Sequence, residues 1–315
     1  MTMNDRAHAL VDAFLADAAL RRVAVAEVGR ARVVDCGVAA TGGLDAGLLL
    51  ARVCLADLAT VSLVPSPEPA GLAVQVTTDQ PLAACLGSQY AGWQVQVGKY
   101  FAMASGPMRA RYAHEAFYRE MPHLADDADR AVGVLEARKL PSVEVVADLA
   151  GKLGLPPARL ALLVAPTASL AGTVQVVART LETALHKLHT LGFDLGTIVS
   201  GAGLAPLPPV AKDDLGAIGW TNDAVLYGGR ATLWVRADDD ALAAVGPRVP
   251  SLASPDYGEP FAAVFERAGR DFYKIDPHLF SPAQVVFHNL ANGRTHVFGR
   301  LAPEVLARSF AGAAP

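Results

Sequence analysis

Arg179, Glu182, His186 and His189 recur at spacings of three, four and three residues, which lines them up along one face of a helix. Beside that stripe run Val177, Leu181, Leu185 and Leu188, at four, four and three, marking the face such a helix would turn towards a core. A carboxylate one helical turn from a guanidinium is a small kit for proton transfer, with Glu182 as general base and Arg179 setting its orientation and protonation state. The loop ahead of it, Pro166-Thr-Ala-Ser-Leu-Ala-Gly172, brings hydroxyls and N–H donors to a helix start, where an anion or a polar ring could dock. A solvated amphipathic helix with an ordinary Arg–Glu pair shows the same stripe, and the residues alone leave both readings open.

A second set of candidates lies on glycine-rich loops. Ser105-Gly106-Pro107 follows an alternating stretch, and Thr221-Asn222-Asp223 stands shortly before Gly228-Gly229-Arg230. Asn and Asp can pair with the amide and amine edge of a heterocycle, and glycine lets a flat ring approach the backbone. Plain turn chemistry accounts for each loop as well. Other patterns fall short. Gly201-Ala-Gly203 has Pro206 where a dinucleotide fingerprint needs its third glycine, and the proline-rich continuation forbids the helix that must follow. His186 and His189 lack an obvious third ligand, so no metal site is expected. Asp238-Asp-Asp240 reads as a solvated loop. Lys274, in Asp271-Phe-Tyr-Lys-Ile-Asp276, alternates with apolar residues and projects opposite a buried face, or takes part in a structural salt bridge.

These residues need elements to hold them. Asp5 to Ala31 reads as a helix, Arg32 to Gly37 as a short strand, and Leu44 to Asp57 as a second helix. Leu72 to Thr77 and Gly92 to Gly98 alternate as strands, with a helical Pro81 to Ala91 between them; another helix runs from Met108 towards Tyr118. Ala131 to Glu136 and Leu160 to Ala165 are strand candidates around a helix, Val143 to Leu153, closed by Gly154. A helix then extends from the Gly172 loop to about Leu191. Gly201 to Pro209 looks too rich in Gly and Pro for regular structure, and Asp223 to Tyr227 with Ala231 to Val235 resembles a hairpin about Gly228-Gly229. Ala243 to Tyr257 is mostly loop, Phe261 to Arg267 a short helix, and strands near Val285 and Thr295 flank the turn signal Asn292-Gly293. Mixed elements without regular βαβ alternation predict an α+β chain in two lobes, residues 1–140 and 141–315, dividing near Leu140-Pro141.

The chain has 315 residues, 52% hydrophobic and 18% charged, enough apolar content for a sizeable core. Its net charge of −4 is spread over 27 basic and 31 acidic residues without a basic run, so nucleic acid is not an expected partner. The start has no basic region followed by an apolar stretch, and Cys36, Cys54 and Cys85 are odd in number and widely spaced; both features point to a reducing cytoplasm. Leu160 to Ala178 is uncharged, but Pro166, Thr167, Ser169, Gly172, Thr173 and Gln175 interrupt it, so no membrane span is expected.

Read in order, several segments resemble the methenyltetrahydromethanopterin cyclohydrolase family. They are Asp35-Cys-Gly37, Gly92 through Pro107, Leu163 through Gly172, Arg179-Thr-Leu-Glu182, Thr221 through Arg230, Tyr257-Gly-Glu-Pro-Phe261 and Asp271 through Asp276. The resemblance covers nearly the whole chain. It implies a two-lobed α+β subunit with mixed sheets and a pterin pocket between the lobes, a homotrimer, and no metal or nucleotide cofactor. It implies catalysis by Arg179 and Glu182, and hydrolysis of 5,10-methenyltetrahydromethanopterin, or its dephospho form, to the 5-formyl product. The setting would be one-carbon metabolism and formaldehyde oxidation, with a bacterial formaldehyde oxidiser as the natural source. Polar and glycine positions within the matching segments are the expected substrate contacts: Lys99, Ser105, Gly106, Thr167, Ser169, Asn222, Asp223, Gly228, Gly229, Tyr257 and Lys274. A formyl transferase of the same pathway and a non-catalytic pterin-binding protein are the alternatives.

Overall fold

Residues 1–67, 70–271 and 274–311 are described by the computed structural model, so Phe272 and Tyr273 of the last matching segment lie outside the described residues. Helix α1 (Met3–Leu15) starts at a capping box in which the Thr2 hydroxyl accepts from the Asp5 N–H. It does not continue to Ala31: β1 (Ala24–Val28) and β2 (Ala31–Asp35) form a hairpin about Gly29 and Arg30, both at positive φ. Next come α2 (Leu44–Cys54), β3 (Thr60–Pro65) and β4 (Leu72–Thr78). Leu82–Gln89 is a π-type helix rather than an ordinary one. Strands β5 (Trp93–Val97) and β6 (Tyr100–Ser105) turn about Gly98-Lys99. Ala113, at φ 45°, splits the following helix into α3 (Met108–Tyr112) and α4 (Ala116–Glu120). Strand β7 (Ala131–Glu136), helix α5 (Val143–Leu153) and strand β8 (Leu160–Ala165) make a parallel βαβ unit, with Gly154 ending α5 at φ 64°. The remaining elements are α6 (Leu170–Val177), α7 (Thr180–Thr190), β9 (Ile198–Pro206), α8 (Asp214–Gly228), β10 (Arg230–Val235), α9 (Asp239–Val245), α10 (Phe261–Arg267), β11 (Gln284–Asn289), β12 (Thr295–Gly299) and α11 (Pro303–Ala311).

Two sequence expectations fail here for identifiable reasons. Gly201 and its neighbours are not irregular: they lie in β9, hydrogen-bonded on one side to β4 and on the other to β10. Nor is Asp223–Tyr227 a strand. It is the last third of α8, which Asp213 caps by accepting from the Gly216 N–H. Five consecutive residues there are buried, and a short run buried on all sides has no period to tell helix from strand.

The chain divides into two compact units: Met1–Ala59 with Leu82–Gln175, and Thr60–Pro81 with the chain from Val176 onward. Leu140 and Pro141 fall inside the first unit, and the boundary lies within α6. The first unit holds a six-stranded sheet ordered β1-β2-β8-β7-β6-β5, in which β2, β8 and β7 are parallel. Its central strand β8 is buried throughout because both faces are covered. Val132, Val134, Ala161 and Leu163 meet Val11, Leu50 and Val53 of α1 and α2 on one face. Leu135, Leu160, Leu162 and Val164 meet Val146, Leu149 and Leu153 of α5 on the other. The second unit's sheet, ordered β12-β11-β10-β9-β4-β3, is mixed as well, with β10 and β11 parallel. In β10 and β11 buried residues alternate with half-buried ones, and α7 and α8 pack against β9. The α+β class with mixed sheets follows.

Candidate active site

Between α6 and α7 the helix breaks at the position that carries the Arg–Glu pair. The Thr180 hydroxyl donates to the Val177 carbonyl at 2.9 Å and the Arg179 N–H to Val176 O at 3.1 Å, satisfying carbonyls at the end of α6. The chain passes through Arg179 at φ −82°, ψ 0° and restarts when the Thr183 N–H donates to Arg179 O at 2.9 Å. Arg179 thus stands at the N-cap of α7 and Glu182 in its first turn, where a negative charge is favoured by the helix dipole. Glu182 is 4% exposed and Arg179 9%. A solvated stripe would look different, so the bland reading of these two residues does not describe this structure. His186 and His189, further along, are half-buried.

In the first unit, the carboxyl ends of the parallel strands β2, β7 and β8 lie side by side, the edge where open α/β sheets bind ligands. Asp35 ends β2, and its carboxylate accepts from four successive N–H groups, Gly37 to Ala40, at 2.7–3.0 Å. Burial works against its charge, but these four donors prevail and hold its pKa below the ordinary aspartate value. Glu136 ends β7 and accepts from the Thr167 hydroxyl at 2.5 Å and the Gln175 amide at 3.4 Å. Ser105 lies 3.2 Å from the Cys54 thiol, which in turn lies 4.0 Å from Gln175 Oε1. Ser169 caps α6: its Oγ accepts from the Gly172 N–H at 3.0 Å and donates to Pro166 O at 2.7 Å. Gly37 fits against it, since a Cβ there would sit 2.9 Å from Ser169 Oγ.

Among the expected contacts, Ser105, Thr167 and Ser169 therefore belong to this polar edge or its immediate surroundings. Lys99 is exposed at the β5–β6 hairpin tip; Met103 pairs with Glu136, so the tip extends beyond the same end of the sheet. Gly106, at φ +93°, donates its N–H to Ser88 O at the end of the π-type helix. Buried Arg109 donates to the same carbonyl at 3.1 Å and pairs with Glu115 at 2.7 Å. Sequence reasoning passed over Glu136 and Gln175 as candidates. The available signal was a carboxylate closing the otherwise apolar run Ala131-Val-Gly-Val-Leu-Glu136.

The second unit's other candidates serve the fold in visible ways. Asp223 is fully buried in α8, accepting from the Phe261 N–H at 2.8 Å and the Ser309 hydroxyl at 2.5 Å, so it ties α8 to the starts of α10 and the end of α11. Burial pushes its pKa up to about 7. The Asn222 amide donates back to Ile218 O, one turn earlier. A Cβ on Gly228 would meet Pro206 at 2.5 Å, and one on Gly229 would meet Thr180 Cγ2 at 3.1 Å, which puts Gly229 beside the catalytic-candidate turn. Tyr257 packs its ring 5.1 Å from Tyr227. Lys274 is exposed and 3.9 Å from Asp271. Among the described residues, no three His, Cys, Asp or Glu side chains gather as a metal site requires, and no helix is long and apolar enough to cross a membrane.

Residues 2–310 match the family model described as Cyclohydrolase (MCH). Relatives named methenyltetrahydromethanopterin cyclohydrolase align along nearly the same span. That of Rhodopirellula baltica is 52% identical over 290 residues, covering 90% of this chain and 87% of its own. That of Methylobacterium sp. strain 4-46 is 47% identical over 317 residues, covering 98% of both. An archaeal relative, from Methanosarcina barkeri, is 44% identical over 286 residues, covering 89% and 88%. The chain belongs to this family of hydrolases, the methenyltetrahydromethanopterin cyclohydrolases.

Proposed function

We propose that this protein hydrolyses 5,10-methenyltetrahydromethanopterin, or its dephospho form, to the 5-formyl compound, with Glu182 and Arg179 as the catalytic residues. The observation that supports it is the buried Glu182 in the first turn of α7 with Arg179 at the N-cap before it. The methenyl carbon shares a positive charge with its two nitrogens and is already electrophilic. A water oxygen bonds to that carbon and gives a proton to Glu182. The C–N10 bond then breaks as Glu182 returns a proton to N10 and the hydroxyl becomes the formyl carbonyl. One proton is released overall. Arg179 orients the carboxylate and keeps it able to accept. The reaction consumes only water and pterin, so the proposal includes no cofactor. By the family resemblance it also includes a cytoplasmic homotrimer working in one-carbon metabolism and formaldehyde oxidation.

The test follows the loss of the methenyl chromophore with purified protein and nothing else added. Multiple turnover is expected for the parent chain. Glu182→Gln should lose about 10²–10⁴-fold in kcat while keeping its circular-dichroism spectrum and pterin binding. Full activity in Glu182→Gln overturns the assignment. A need for a second carrier would favour a formyl transferase, and stoichiometric binding without turnover a pterin-binding protein.

A further inference from the structure

Strand β9 carries Gly201 and Gly203 on the face that α7 covers, flanked by Val76 and Ala231 opposite Gly203 and by Thr78 and Leu233 opposite Gly201. Glycine in a central strand weakens it and has no side chain to pack, so two on one face need a reason. The reason is visible in the spacing. A Cβ built on Gly203 would lie 2.8 Å from the Leu181 backbone nitrogen and 3.0 Å from Leu181 Cβ. One built on Gly201 would lie 3.0 Å from both Leu181 methyl carbons. A Cβ on Gly229 would meet the Val225 carbonyl oxygen first, at 2.4 Å, and then Thr180 Cγ2 at 3.1 Å, so this glycine also lies beside the turn. The first turn of α7 is therefore seated directly on the strand backbone, with Thr180 and Leu181 pressed into a trough between larger neighbours. Arg179 and Glu182 are the residues immediately before and after that contact.

We infer that Gly203, assisted by Gly201, is a positioning residue for the reaction: its missing side chain sets how far the Arg179–Glu182 turn stands from the sheet. The inference rests on the reading of Glu182 as the base. It gives the Gly201-Ala-Gly203 pattern a role other than nucleotide binding, namely a close approach between strand and helix backbones. At Gly203 the obstacle is a backbone nitrogen, so no side-chain rotation relieves it, and an alanine there must displace the turn by about half an ångström or more. At Gly201 the obstacle is the far end of Leu181, which can rotate or be removed. Misplacing a catalytic group by about 1 Å is enough to cost on the order of 10²-fold in rate.

The experiment compares Gly203→Ala, Gly201→Ala, Gly201→Ala with Leu181→Ala, and Glu182→Gln in the methenyl chromophore assay, with Gly219→Ala as a packing control. Gly219 packs against Ala262 in the α8–α10 contact, where an added Cβ would meet the Ala262 Cβ at 3.2 Å. Expected for Gly203→Ala is a kcat about 10-fold or more below the parent with KM within about two-fold, the signature of a lost transition-state contact. Gly219→Ala is expected to keep the parent kcat. Gly201→Ala should lose less than Gly203→Ala, and adding Leu181→Ala should restore part of that loss. This pair also carries the test if Gly203→Ala does not fold. Parent-like kcat in folded Gly203→Ala, or a Gly201→Ala loss that Leu181→Ala fails to relieve, overturns the inference. An active Glu182→Gln instead overturns the assignment of the base, so the two failures are told apart.

Discussion

In the first unit Asp35 sits at the end of β2 with both carboxylate oxygens accepting backbone N–H groups, four in all. In the second, Asp223 sits within α8, more deeply buried, with one N–H and one hydroxyl to accept from. Their pKa values move in opposite directions, below the ordinary value for Asp35 and up to about 7 for Asp223. Burial opposes charge in both; it prevails at Asp223, which is the more deeply buried and has fewer donors, and loses to the four N–H groups at Asp35. Asp35 spends its charge on folding the loop after a strand. Asp223 is placed where a neutral carboxyl would serve the helix contact nearly as well. Glu182 differs from both, because it stands in the first turn of a helix, three residues after an arginine at the N-cap.

The largest effect expected separates chemistry from folding along this line. Glu182→Gln should lose about 10²–10⁴-fold in turnover with an unchanged unfolding midpoint. Asp35→Ala, which strips the acceptors from four N–H groups of a part-buried loop, should instead lose roughly 1–3 kcal/mol of stability, read by urea unfolding. If Asp35→Ala unfolds like the parent, the comparison fails on its first-unit side.

The pH dependence comes next. A folded pKa above the unfolded one means the folded state holds a proton that the unfolded state has released. Asp223 should therefore make stability fall as pH rises from about 4 to about 7, by on the order of a few kcal/mol. Asp223→Asn should flatten that slope and be more stable than the parent at pH 8. Asp35 acts with the opposite sign: its contribution is present above the ordinary aspartate range and lost as pH falls through its lowered pKa.

A smaller effect is expected at Lys187, a buried lysine on α7 that donates to His278 O at 2.5 Å. Burial brings its pKa down to about 8, so the folded state sheds a proton before the unfolded state does. Stability should rise between about pH 8 and 10.5 in the parent and stay level in Lys187→Met. The smallest effect concerns the exposed Lys274–Asp271 pair. Lys274→Ala should leave the unfolding midpoint unchanged. A raised KM in that variant would be the mark of a substrate contact.

Much of this was legible in the residues. Leu160–Ala165 reads as a strand covered on both faces because all six positions are apolar, and β8 is one. The Asn292-Gly293 hairpin and the glycine stop at Gly154 follow from local turn chemistry. Where reading failed, distant partners had decided. Gly201 and Gly203 look like loop residues until Leu181 is set against them, and Asp223–Tyr227 has no period because α10 and α11 cover it along with its own sheet side. The helix break at Arg179 was equally hidden, since Val177 through Leu188 keep helical spacing across it.

By itself the sequence determined the α+β class, the spacing of Arg179 and Glu182 one turn apart, and the family to which the chain belongs. These rest on spacing and residue type, which are local. Only the tertiary structure decided that both residues are buried, that Asp35 keeps its charge while Asp223 is pushed towards losing it, and that two strand glycines seat the Arg–Glu turn. Burial, donor count and backbone approach are each set by residues far apart in the chain, so no local pattern could report them.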